Sequence, residues 1–226
     1  MLHRFFRVRN IFIWLCMTTP LAAQEAPADS LPVTHVRIEA GLGISGMLMP
    51  SVWNYINTSA DLPSGQNAGG FIATSEFFLN TDVRIDSSWS VGLEYSYGLW
   101  SHSWDGMWDY EEQIQMPAIC LHYVMCSDRS FLRLGCSIGY YISDLSKELE
   151  GQATVYRAHG LGLKTDAAAD MALNDHVFCS LTVDIRSCLG SSFKNTNNGT
   201  EMSFYGTTPK MNFLSAGIKF GINYQL

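Results

Sequence analysis

The chain has 226 residues, 47% of them hydrophobic and 15% charged, and a formal charge of -7. That composition excludes a disordered chain and bounds the protein at one domain, or at most two. With 14 Lys+Arg against 21 Asp+Glu, the acidic balance argues against a nucleic-acid partner.

The N-terminus reads as a targeting segment. Arg4, Arg7 and Arg9 form a basic start, Ile11 to Met17 a short apolar stretch, and Leu21-Ala22-Ala23 a small-residue cleavage site. Residues 1–23 are therefore expected to be a secretory signal peptide, too short to span a membrane as a helix. Its removal takes away three basic residues and no acidic ones, moving the formal charge from -7 to -10. Residues 24–34 carry Pro27 and Pro32 with little periodicity and read as a flexible periplasmic lead-in, leaving 35–226 as the folded domain.

From residue 36 onward the chain alternates with the period of a β-strand. Val36, Ile38, Ala40, Leu42, Ile44 and Leu48 share one face, and residues 50–70 follow as a loop. A second strand, about 71–85, turns at Asp86-Ser87-Ser88 into a third, Trp89 to Leu99, and residues 100–112 read as a second loop. The fourth strand, about 113–125, holds Pro117 and turns at Ser127-Asp128-Arg129 into a fifth ending near Ile142. Residues 144–159 read as a third loop, and the sixth strand, Leu161 to Leu173, turns at Asn174-Asp175 into the seventh, Val177 to Ile185. After a fourth loop, 190–209, the eighth strand runs to the end of the sequence without a break in alternation: Leu214, Ala216, Ile218, Phe220, Ile222, Tyr224 and Leu226 against Ser215, Gly217, Lys219, Gly221, Asn223 and Gln225.

Long and short connections thus alternate, which in an up-and-down meander puts every long loop at one end and every short turn at the other. Alternation alone fits a lipocalin-like soluble barrel as well as a membrane barrel, and three features separate them. The polar face is rich in glycine, as a crowded interior would be. Its charges nearly balance: Arg37, Arg84, Arg133, Lys164, Arg186 and Lys219 against Glu39, Glu76, Asp82, Glu94, Asp166, Asp170 and Asp184. The opposite face is nearly free of charge, in keeping with the cost of about 2–4 kcal/mol for a basic residue at the bilayer midplane, and carries Trp89, Tyr123 and Tyr224 near one end and Phe71, Tyr97 and Tyr140 near the other. The expected fold is all-β, an eight-stranded antiparallel up-and-down transmembrane β-barrel, its lumen closed by an ion-pair network. Lys219 is expected to pair with an acidic neighbour such as Glu39 on the first strand, with which the eighth strand would close the barrel.

On these features residues 35–226 resemble the small outer-membrane barrels of the OmpX/OmpA type. The stretch Met116-Pro117-Ala118-Ile119, the Asp184-Ile185-Arg186 strand and the terminal strand resemble more closely the PorT-like outer-membrane barrels of Bacteroidetes. The resemblance implies location in the outer membrane of a Gram-negative bacterium, contact with outer-membrane lipid and lipopolysaccharide, and insertion by the barrel assembly machinery. Lys219, Gly221, Tyr224 and Leu226 resemble the terminal assembly signal, with Leu226 departing from the usual aromatic ending. Asp29-Ser30-Leu31 resembles a three-residue O-glycosylation acceptor.

No cofactor is expected and the chain reads as a non-enzyme. Ser101, His102 and Ser103 with Glu111 or Glu112 are the one hydrolase-like set, but adjacent residues on a strand point apart. Cys120 and His122 share the inward face, yet no second pair has ligand spacing, so packed interior is preferred to a metal site. The five cysteines left after processing show no disulfide framework. Trp53, Tyr55, Trp100, Trp104, Trp108 and Tyr110 in the first two loops fit either a contact surface for protein or carbohydrate or packing of the loops on one another. A display barrel is the first reading. Binding or adhesion protein, lipid A-modifying enzyme, narrow pore and secretion-machinery subunit are the alternatives.

Overall fold

The computed structural model describes residues 36–58, 72–104, 108–127, 130–149, 151–203 and 206–226, with backbone alone at 102–104, 108 and 149. The segments expected as signal peptide and lead-in, Asp29-Ser30-Leu31 and Phe71 lie outside the described residues.

Eight long strands close a barrel: β1 (Val36–Leu48), β2 (Ile72–Arg84), β3 (Trp89–Trp104), β4 (Trp108–Ser127), β5 (Ser130–Leu149), β6 (Gln152–Ala172), β7 (Val177–Gly190) and, after a two-residue strand β8 (Lys194–Asn195), β9 (Phe213–Gln225). Each long strand pairs antiparallel with its neighbours, and β1 pairs with β9 to join the ends. Closure leaves none of these strands as an edge, which removes the unpaired backbone groups that an open sheet would expose.

In the lower part of the wall the alternation sorts as the sequence indicates. Leu42, Ile44, Leu93, Ile119, Ile138, Leu163, Leu181, Ile218 and Phe220 all point outward and are each at least half exposed, while charged and small residues fill the interior. Water does not tolerate an unbroken apolar band of this extent, whereas hydrocarbon does.

The two middle loops of the sequence reading are not loops. Residues 100–112 and 144–159 belong mostly to β3–β4 and β5–β6, which project beyond the apolar band as two long hairpins. Their sorting is inverted there. On β4, Tyr110, Glu112, Ile114 and Met116 are buried inside while Asp109 and Glu111 are exposed and Gln113 and Gln115 partly so; four residues on, the outward positions are Pro117, Ile119 and Leu121 and the inward ones Cys120 and His122. The strand keeps its period of two and exchanges which phase is apolar. The barrel therefore has a charged lumen inside an apolar coat below, and an apolar core inside a polar coat above.

That upper core is capped. The 50–70 segment, expected as a loop, contains a helix, α1 (Pro50–Thr58), where Pro50 is accommodated in the first turn and Thr58 Oγ1 donates to the carbonyls of Asn54 and Tyr55 at the last. Val52, Trp53, Tyr55 and Ile56 fall on one face of α1 and are buried. From the other side comes the segment 191–212, which buries Phe193, Met202 and Met211 in the same cluster.

Candidate functional site

The lumen holds a continuous set of ion pairs. At the turn end, Arg37 pairs with Glu39 and with Asp82 at 2.6 Å, and Arg133 donates from Nε to Asp170 at 2.8 Å and from Nη2 to Glu39 at 3.2 Å. In the middle, the two ring nitrogens of His122 face Asp82 Oδ1 at 3.1 Å and Asp166 Oδ1 at 3.6 Å. Lys164 pairs with Glu94 and lies 2.9 Å from Asp166. At the upper limit, Arg186 Nη2 reaches Glu76 at 2.7 Å and Asp184 at 3.1 Å, and Lys219 Nζ lies within 3.4 Å of Glu76, Glu94 and Asp184. All of these groups are buried, so each carboxylate depends on its cations to offset lost hydration.

Twelve of the thirteen charged residues expected in the lumen lie in this network. Arg84 does not. As the last residue of β2 it sits at the turn end, where Nη2 donates to Cys126 Sγ at 3.5 Å and the guanidinium lies 5.7 Å from the Phe131 ring centre. His122 takes its place as a link, a role hidden in the sequence because Asp82 and Asp166 come from other strands. The pairing of Lys219 with Glu39 is also corrected. The β1–β9 register sets Lys219 opposite Gly43 and Glu39 opposite Asn223, so Glu39 turns to Arg37 and Arg133 instead.

One glycine lets the walls fill this space. The Tyr141 ring lies flat across Gly162, where a side chain would collide with it, and it stacks on Phe213 at 6.1 Å and 9°. Tyr141 is thus the floor of the upper core.

Among the described residues that core contains one acid, Glu112, fully buried. It accepts from Trp100 Nε1 at 2.6 Å and from Ser143 Oγ, and no cation among the described residues pairs with it. Burial raises its pKa to about 7, against the smaller opposing effect of the Ser143 and Trp100 hydrogen bonds.

Of the loop aromatics, read as either a contact surface or packing of the loops on one another, four take the second course. Trp53, Tyr55, Trp100 and Tyr110 are buried, Trp53 against Trp100 with ring centres 6.3 Å apart, because the hairpin and α1 turn them toward a common core. The side chains of Trp104 and Trp108 lie outside those described. Of the hydrolase-like set, Ser101 is exposed and directly opposite Glu111, Glu112 points inward to Trp100 and Ser143, and the side chains of His102 and Ser103 lie outside those described. Cys120 and His122 are both inward and buried, but no group of three or more potential ligands is placed to hold a metal among the described residues. Cys120, Cys126, Cys136, Cys179 and Cys188 are free thiols. In the terminal strand, Lys219 and Gly221 face the lumen, Tyr224 faces outward, and Leu226 N donates to Val36 O at 2.9 Å, extending the β1 ladder.

No family model matches the chain, and no curated protein matches it. Among solved structures, it is similar to Ail, the attachment invasion locus protein of Yersinia pestis, at 9% identity and a TM-score of 0.52, covering 85% of this chain and 99% of that one. It is also similar to Neisserial surface protein A, at 10% identity and a TM-score of 0.53, covering 84% of this chain and 97% of that one. At such identities the likeness is one of fold, that of outer-membrane eight-stranded barrels.

Proposed function

We propose that this chain is a non-enzymatic outer-membrane protein whose barrel is an anchor and a pedestal, not a conduit, and whose function is carried on the surface of the upper hairpins and cap. The single observation that carries the reading is the closure of the interior at two levels, by the buried ion-pair lumen below and by the apolar core under α1 above. A pore would need a continuous aqueous path, and the charged residues that could line one are spent on each other. The strands that resemble PorT-like barrels are compatible with the same role, and the signal peptide would deliver the chain to the outer membrane.

Reconstitution tests this reading. Purified protein in planar bilayers should give heat-modifiable migration on gels, showing a folded barrel, together with no defined conductance steps. Stable unitary channels would overturn the closed-barrel reading. Altered lipid A mass spectra in expressing cells, lost in His102→Ala or Ser103→Ala, would overturn the non-enzymatic one.

A further inference from the structure

The outer face of β3, β4 and β5 carries a notch at the level where the apolar band gives way to the polar wall. The β4–β5 pairing runs from Trp108 to Gln115 and resumes at Ala118, with no pairing at Met116 and Pro117. Pro117 has no N–H to donate, so the ladder is open on that side. On the outer surface Tyr95 lies directly across from Pro117 on β3. On β5, Gly139 opposes Ala118 and Ile142 opposes Gln115, which sets Tyr140 at the other side of the proline. Both tyrosines are about half exposed. Together with Leu93, Ile119 and Ile138 they line a surface groove of about 470 Å³.

Above the groove the side chains are already oriented by one another. Tyr95 OH donates to Gln115 Oε1 at 3.4 Å, Tyr97 OH to Gln113 Oε1 at 2.8 Å, and Gln113 Nε2 to Glu111 Oε1 at 2.9 Å. Gln115 Nε2 has no partner among the described residues. The ledge therefore offers an amide donor close to the groove and a carboxylate acceptor farther out, on a rigid sheet. Of the basic groups on this face, Arg157 is held bidentate by Asp144 at 2.6 and 2.8 Å, and the imidazole of the exposed His159 is stacked on the Tyr140 ring with centres 5.7 Å apart. A phosphate would find Glu111 and no free guanidinium, whereas uncharged hydroxyls find both a donor and an acceptor.

We propose that this notch binds one outer-leaflet lipid, its acyl chain in the groove between Tyr95 and Tyr140 and an uncharged, hydroxyl-bearing sugar headgroup on the Gln115–Gln113–Glu111 ledge. The proposal rests on the outer-membrane reading above. Commitment to a sugar follows from the neutral donor and the acceptor side by side on the ledge, with the guanidinium of Arg157 already paired, and commitment to a lipid from the groove's continuity with the apolar band.

Native mass spectrometry of the full-length mature protein in detergent tests it, using three lipids of identical acyl chains: monogalactosyl diacylglycerol, phosphatidylglycerol and phosphatidylethanolamine. The wild type should retain one copy of the galactolipid with about five-fold preference over either phospholipid. Gln115→Leu and Tyr95→Phe should bring that preference close to one, and Leu181→Ala, on the outer face of β7, should leave it unchanged. Heat-modifiable migration checks that each variant is folded. Equal retention of all three lipids by the wild type, preference for either phospholipid, or full preference in Gln115→Leu would overturn the proposal. Failure to fold or insert into bilayers would instead strike at the outer-membrane reading itself.

Discussion

Arg186 donates from Nη1 to Met116 Sδ at 3.3 Å, and that contact is the boundary between two interiors. Below it the guanidinium faces Glu76 and Asp184; above it Met116 packs with Ile114, Tyr141 and Phe213. One strand passes through both regimes because a β-strand has two faces and the solvent outside changes from lipid to water along its length.

The lower interior should be intolerant of losing a single cation. Lys219→Met removes the ammonium shared by Glu76, Glu94 and Asp184 and is expected to cost about 3–5 kcal/mol, the usual result of leaving a buried charge unpaired. Urea unfolding in lipid vesicles measures this, and adding Glu94→Gln should recover part of the loss.

The upper core should respond to pH through Glu112. Its folded pKa is raised to about 7 from 4.5, so its contribution to stability is fully present below the unfolded value and is lost as pH rises through the folded one. Between pH 5 and pH 8 the wild type should lose up to about 3 kcal/mol relative to Glu112→Gln. Hydrogen exchange at the amides of residues 110–116 and 141–145 reports the difference; parallel pH profiles for the two proteins would contradict it.

Gly162→Val places a side chain into the Tyr141 ring and should prevent folding of the barrel, read as loss of heat-modifiable migration. Tyr141→Ala in the same chain should restore folding, at reduced stability, because the collision is with that ring and not with backbone.

Removal of the cap should be felt locally. Trp53→Ala deletes a buried ring that packs on Trp100 and should cost about 3–5 kcal/mol of upper-core stability. Limited proteolysis should then cut within α1 or 191–212 while the lower barrel stays intact.

Much of this fold is legible in the sequence because the lower barrel obeys one rule throughout: in β9, Leu214 to Leu226 alternate without interruption, and the structure keeps that register against β1. The upper barrel was not legible because the rule changes sign. Trp100, Tyr110 and Ile114 are in phase with inward Glu94 and His122, so to a reader following one apolar phase they break the pattern and look like loop. The charged lumen residues could be listed from their phase, but their partners depend on strand stagger. Glu39 illustrates this: only the register shows that it meets Arg133, ninety-four residues away, and not Lys219. The buried state of Glu112 had no signal at all beside Glu111, since neighbouring residues of one type on a strand go to opposite faces and only the core decides which is which.

The most direct test of the two-interior barrel is a nitroxide scan along the outer face of β4. Spin labels at positions 111, 113, 115, 119 and 121, in mature protein reconstituted in vesicles, would be compared for collision with oxygen, which concentrates in lipid, and with a water-soluble nickel chelate. The account predicts chelate accessibility at 111, 113 and 115 and oxygen accessibility at 119 and 121, with the change falling at Pro117. Lipid exposure continuing through 111, or water exposure at 119 and 121, would contradict it.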